Sequence, residues 1–252
     1  MAKQTGIITL DGTIDNISFF KTKDGYSARK KAGVSAEEIA TNPNFARTRE
    51  NMAEFKRAAR CSKLLRVALL ESLVGSKDRK MVPRLTKAMM EVVKADLTSE
   101  RGQRNVMDGE TELLEGFEFN LAGTLRSALL APFSATIDRA TGKAGVSIPS
   151  YNAEKMIKPA AGATHYRFGI TAAAIDFEAE TKETVSLFSA YNPLDNVPTQ
   201  LLELEVTLQA AADHPIFLAL TIEFVQETNG KMYSLSNGYF NPCALVKVDG
   251  GV

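Results

Sequence analysis

Residues 202–208 read LELEVTL and residues 218–224 read LALTIEF. Each stretch has an apolar residue at every second position. Successive side chains of a strand point to opposite faces, so the alternation predicts two strands, each with one buried face and one wet face. Asn229-Gly230 follows the second stretch. This pair favours a two-residue hairpin, because both residues accept positive φ. Working outward, Tyr166 to Ile175 and Thr184 to Ala190 read as further strands. Phe133 to Ile148 reads as a hairpin turning through Ala140-Thr141-Gly142. Short strands at turn-punctuated spacing favour a sandwich or an open barrel. The expectation for residues 111–252 is an antiparallel β-sandwich of immunoglobulin-like character.

Upstream the texture changes. Ser35 with Glu38 makes a capping-box pattern, and Asn42-Pro43 reads as a cap followed by proline in a first turn. No glycine or proline interrupts the chain from there to Val74. Phe45, Met52, Phe55, Ala59, Leu65 and Leu69 recur at near-helical steps and predict one apolar stripe, with Gly75 as its stop. A second helix is expected from about Pro83 to Leu97, burying Leu85, Met89, Val92 and Val93. The short connection predicts an antiparallel helical hairpin. Before the helices, Ile8, Leu10, Ile14, Ile17 and Phe19 lie between turn residues, and Asp11-Gly12 and Asp24-Gly25 mark tight turns. Thr5 to Leu10 is expected to be an exposed strand. The fold class is therefore α+β: an N-terminal β-hairpin region, a helical hairpin and the C-terminal sandwich. The domain division is 1–110 and 111–252.

With 252 residues, 44% of them hydrophobic, the chain can bury a sizeable core without a disulfide or metal staple. Cys61 and Cys243 are the two cysteines, and both read as small buried apolar residues. The opening MAKQTGIITLDGT lacks the unbroken apolar stretch of a secretory signal, and no stretch is long and apolar enough for a membrane span. The expected location is cytoplasmic with no membrane partner, export by another route being left open.

The chemistry of common active sites is missing. No G-x-S-x-G elbow and no phosphate-binding glycine loop is present; Thr141-Gly142-Lys143-Ala144-Gly145 is glycine near lysine inside an expected hairpin. His165 reads as a strand residue and Asp213-His214-Pro215 as a turn, so the two histidines are isolated. The acids fall on wet strand positions or in loops. No catalytic residue, no cofactor site and no metal ligand is therefore assigned, and the chain is read as not an enzyme.

Charge is distributed unevenly. Residues 21–104 hold 20 Lys and Arg against 10 Asp and Glu, a net of +10, whereas residues 105–252 hold 9 against 18, a net of −9. A basic helical region that meets the acidic β region of a second copy would orient association, and a head-to-tail contact that does not close builds a filament or tube. The expected interface comprises Ile7, Ile8 and Leu10 of the N-terminal strands, which serve as a linker, Arg49, Lys56, Arg60 and Lys63 of the long helix, and Glu203 and Glu205 of the acidic strand. The expected partner is the chain itself. The alternative is a polyanion- or nucleic-acid-binding module using the basic helices, with Lys77, Arg79 and Lys80 as a further cluster. No aromatic residue punctuates the basic stripe to stack on bases. A third reading, an adhesin or carbohydrate-binding β domain, requires surface exposure.

GTIDNISFFKTKDGYSARKKAGVS at 12–35, NPNFARTRENMAEFKRAARCSKLLR at 42–66, ATIDRATGKAGVSIP at 135–149 and PAAGATHY at 159–166 resemble segments of an uncharacterised protein family of Bacteroidota. The resemblance covers the chain up to its last strands. It implies a bacterial source and a helical-then-β layout, and it brings no activity, cofactor or site residue with it.

Overall fold

A computed structural model of the chain describes residues 2–30, 33–76 and 78–251, apart from the side chains of Ser236 and Asn237. The architecture is mixed α+β, and every paired strand in it is antiparallel. Contacts group the chain into two compact units, residues 1–50 and 51–252. No helix among the described residues is long and apolar enough to cross a membrane.

Unit 1 carries strands β1 (Ala2–Lys3), β2 (Gly12–Ile14), β3 (Ile17–Thr22) and β4 (Gly25–Lys30), in the order β1-β4-β3-β2. The expected strand from Thr5 to Leu10 is a loop instead. The Gln4 side chain takes the place of a neighbouring strand: its carboxamide accepts from Leu10 N at 2.8 Å and donates to Leu10 O and Ser27 O. The tight turn expected at Asp11-Gly12 falls at Asp15-Asn16, where Ile14 pairs with Ile17 and Asp15 takes φ +52°. Helix α1 (Ala36–Thr41) starts at Ser35, whose hydroxyl accepts from Glu38 N.

Unit 2 is layered. Helix α2 (Ala46–Ala68) begins before the unit boundary and continues into it; α3 (Leu70–Leu73) and α4 (Met81–Ala95) follow. Two short helices, α5 (Leu125–Ala128) and α6 (Ala153–Met156), punctuate the later loops. A small sheet is formed by β5 (Ser134–Asp138), β6 (Lys143–Ile148) and β10 (Leu202–Thr207), in the order β10-β6-β5. The large sheet is centred on β7 (His165–Asp176) and β11 (Ile216–Thr228). Around them lie β8 (Thr181–Phe188), β9 (Asn192–Pro193), β12 (Lys231–Ser234) and β13 (Cys243–Asp249).

The large sheet is buried on both faces. Phe168, Ile170, Leu218, Leu220 and Ile222 pack with Val146, Ile148, Leu204 and Val206 of the small sheet. The opposite face, with Ala173, Ile175, Phe217 and Ala219, packs with Ala58, Leu65, Leu85 and Met89 of the helices. LALTIEF therefore has no wet face along most of its length. Its threonine is buried, and Thr221 Oγ1 donates to Pro242 O and pairs with Ser76 Oγ at 3.3 Å. On β7, Thr171 Oγ1 pairs with Ser72 Oγ at 2.7 Å and Ser186 Oγ at 2.9 Å. These hydroxyls satisfy one another, so a polar residue can sit under a helix without the penalty of an unmade hydrogen bond. The helices thus share a core with strands of residues 165–249 and form a layer of the same unit.

The stripe on α2 also differs from expectation. The buried positions are Glu54, Ala58, Cys61, Ser62, Leu65 and Ala68, while Met52 and Phe55 are exposed. Glu54 faces inward because its carboxylate accepts from Gly102 N at 2.7 Å, tying down the chain after α4. On α4 the buried set includes Leu85, Met89, Val92 and Val93.

Candidate assembly surfaces

No described residue of unit 1 is buried. Cross-strand register puts Ile14, Ile17, Phe19, Tyr26 and Ala28 on one face of its sheet together with Lys21 and Lys30, since Ile17 pairs with Ile14 and Lys30, Phe19 with Ala28, and Lys21 with Tyr26. Ile14 and Ile17 remain largely exposed. On the opposite face Arg29 lies over the Phe20 ring, 5.3 Å from its centroid. In the loop clasped by Gln4, Ile7 and Ile8 are 106% and 82% exposed, and Leu10 at its base is partly shielded.

The charged residues expected at the interface are not equivalent. Arg49 is half-buried and donates to Ile39 O and Asn42 O, which ends α1 and starts α2. Arg60 forms an ion pair with Glu180. Glu205 pairs with Lys143 at 2.7 Å across the small sheet. Lys56, Lys63 and Glu203 are exposed and make no ion pair among the described residues. Glu203 and Glu205 share the outer face of β10 with Thr207, while Leu204 and Val206 point into the core. Of the further basic cluster, Arg79 and Lys80 are exposed, and Lys77 lies outside the described residues.

Sequence reasoning passed over an apolar patch on unit 2. Val74, Leu121, Tyr239 and Phe240 are all exposed, Leu121 and Tyr239 each at 57%. Three separate segments are tied together beneath them. Buried Asn120 donates to Tyr239 O and Asn241 O at 2.8 and 2.9 Å. Gly123 lies against the Phe240 carbonyl and Gly238, at φ +76°, against the Gly75 carbonyl; a Cβ at either would clash with backbone. The Tyr239 and Phe240 rings meet edge to face, 4.8 Å between centroids. Asp78 anchors the margin, accepting from Leu121 N at 3.0 Å, Lys80 N at 2.6 Å and Arg84 Nη2 at 2.6 Å. Burial opposes the Asp78 charge, but these donors outweigh it and hold the carboxyl below its ordinary value. The adjacent aromatics of NGYFNP at 237–242, in a stretch otherwise rich in turn residues, were the one signal in the sequence.

Among the described residues no group of three or more His, Cys, Asp or Glu could hold a metal ion. A cleft of about 460 Å³ is lined by Arg57, Arg60, Cys61, Asp108, Phe177 and Glu180. Burial pushes the Cys61 thiol up to about 11, so the sulfur is protonated and weakly nucleophilic at neutral pH. Burial likewise pushes the Cys243 thiol up. His165 Nε2 lies 3.5 Å from Glu227, and His214 Nε2 lies 3.7 Å from Asp176. No protein-family model matches the chain, and no curated protein matches it.

Proposed function

We propose that the chain is a non-enzymatic structural subunit that self-assembles head to tail into a filament or tube, with unit 1 as the linker between copies. One observation carries this. The sheet of unit 1 gathers Ile14, Ile17, Phe19 and Tyr26 on one face, with Lys21 and Lys30 beside them, and has an apolar loop, yet none of its described residues is buried. Apolar side chains left open to water on a small sheet gain stability when another surface covers them. A neighbouring copy would supply that surface. Contact between different surfaces of two copies is heterologous, and unless the rotation closes a ring it grows a polymer. Lys56 and Lys63 of the basic helical region and Glu203 of the acidic strand are left to steer orientation. In this role the two stacked sheets of unit 2 act as an immunoglobulin-like rigid body.

Negative-stain electron microscopy and sedimentation velocity of the full chain test this. Polymers should form at low salt, and deleting residues 1–20 should abolish them while leaving a soluble chain. A full-length chain that stays monomeric at high concentration and low salt overturns self-assembly. Should that monomer bind DNA or RNA with an affinity that falls steeply as salt rises, the polyanion-binding alternative takes its place.

A further inference from the structure

Asn-Gly occurs twice in the chain, at 229–230 and at 237–238, on either side of β12. The pair carries chemistry of its own. The backbone nitrogen that follows an asparagine can attack the side-chain amide carbon, and glycine, having no Cβ, leaves that approach open. The fold holds the two pairs very differently.

Asn229-Gly230 is the tip of the hairpin between β11 and β12. Thr228 pairs with Lys231, so two residues make the turn, and their φ angles of +52° and +75° are those of the type I′ turn that this pair favours. Both residues are exposed, and the space beside Gly230 is open, since a Cβ there would meet nothing within 4 Å. Among the described residues, no partner bonds the Gly230 N–H. The four residues of β12 are all exposed as well, so no packed side chain restrains the tip. Segments of this kind open locally at small cost. Gly238 is the opposite case. It is buried, ends the 3-10 helix Leu235–Gly238 at φ +76°, and packs against the Gly75 carbonyl. Its own carbonyl accepts from Asn241 N at 2.9 Å, and buried Asn241 in turn accepts from Phe224 N at 3.0 Å. The peptide that contains the Gly238 nitrogen cannot swing without breaking these contacts.

We infer that Asn229 is a site of spontaneous deamidation, and that the fold slows the same reaction at Asn237 by immobilising Gly238. The Gly230 nitrogen loses its proton to a solvent base and bonds to Cγ of Asn229. The bond from Cγ to the side-chain nitrogen breaks and ammonia leaves, which gives a succinimide. Water then cleaves one of the two imide C–N bonds and yields aspartate or isoaspartate; no electrons are exchanged with another reactant. Either product adds a negative charge to the acidic part of the chain. Aspartate keeps the turn, because it tolerates positive φ. Isoaspartate routes the main chain through its side-chain methylene, and a two-residue turn lengthened in this way no longer matches the register that it sets. The strand released is β12, which pairs with β11 from Thr228 and Lys231 to Val225 and Ser234.

The test incubates the full-length chain at mildly alkaline pH, native and in urea. Mass spectrometry follows the peptides that carry residues 229 and 237, and methylation by an isoaspartyl methyltransferase with S-adenosylmethionine reports isoaspartate. In the native chain Asn229 should convert faster than Asn237 by about tenfold or more, and in urea the two rates should converge. Amide exchange at residues 231–234 should quicken in the isoaspartate form and stay as in the parent in Asn229→Asp. Equal native rates, or a faster Asn237, overturn the assignment. A difference that persists in urea also overturns it, because it would belong to the flanking residues and not to the fold. Unchanged exchange in the isoaspartate form overturns the release of β12.

Discussion

In unit 2, β11 buries Leu218 against the small sheet and Phe217 against the helices; in unit 1, β3 carries Ile17 and Phe19 on one face and buries neither. Both strands lie inside antiparallel sheets, and every residue of each is paired with at least one neighbouring strand. The difference is in what covers the side chains. Backbone pairing contributes little net free energy over hydration, whereas removal of apolar surface from water contributes most of the stability. Unit 2 therefore has two cores within one chain, and unit 1 has the pattern of a sheet without a second layer. The lesson is that an apolar face is information about a partner, and the partner can belong to the same chain or to another.

The comparison breaks most visibly at the cores. Phe217→Ala should destabilise unit 2 by about 3–5 kcal/mol, because it removes a fully buried ring beneath the helices. Phe19→Ala in unit 1 should lower the unfolding free energy read from urea titration of the monomeric chain by well under that, about 0.5 kcal/mol or less. Equal shifts would mean that unit 1 has a core of its own.

The next effect is electrostatic and belongs to the loop after α4. Asp96 is buried and accepts from Thr98 N, Ser99 N and Asn105 N at 2.8–3.1 Å. Burial alone would raise its pKa, but these donors prevail and hold the carboxyl well below its ordinary 3.8. A depressed folded pKa means stability that is present above about pH 4 and lost as pH falls toward the folded value. Asp96→Ala should cost about 2 kcal/mol at pH 7, as expected for hydrogen bonds to a charged group. The gap between variant and parent should narrow as the urea midpoint is followed down into acid. A gap that stays constant with pH would show that packing, not charge, holds the loop.

A smaller effect probes the hydroxyls under α3. Thr171→Val leaves Ser72 buried without its 2.7 Å partner and should cost about 1–2 kcal/mol. Adding Ser72→Ala should recover part of the loss, since it removes the buried hydroxyl left without a partner, while the half-buried Ser186 still lacks its bond to Thr171. If the double variant is the sum of the singles, the two hydroxyls are not coupled.

These same residues mark where the sequence can be read and where it cannot. LALTIEF shows its period, and period is local, so the strand is legible. Its second face is not, because Thr221 looks wet until Ser76, at a separation of 145 residues, supplies a partner. On α4 the stripe Leu85, Met89, Val92, Val93 is legible because the buried positions are apolar except Thr86, whose hydroxyl bonds back to Val82 O. On α2 the phase slips, since buried Glu54 is chosen by the Gly102 N–H and not by hydropathy. The exposed Ile7, Ile8 and Leu10 were visible as an apolar cluster, but the Gln4 clasp that turns an expected strand into a loop was not. The patch of unit 2 was hidden for the same reason as the second face: Asn120 joins segments 119 and 121 residues apart.

The smallest effect sharpens the comparison at two turns. Asp15 in unit 1 and Ala211 in unit 2 both hold positive φ, at 52° and 53°. An L-residue in this region crowds its Cβ against backbone, and glycine relieves that crowding while adding entropy to the unfolded chain. Asp tolerates the conformation better than Ala, since its short polar side chain can bond locally. Ala211 is exposed, and its backbone N–H donates to Arg139 O, a bond that glycine keeps. Ala211→Gly should therefore raise the stability of unit 2 by about 0.5–1 kcal/mol. Asp15→Gly should leave the urea midpoint of unit 2 unchanged, because neither core contains a residue of unit 1. Paired urea titrations of the two variants read this directly, and a midpoint that moves with Asp15→Gly would show that the unit without buried residues contributes to the cooperative unfolding of the one that has them.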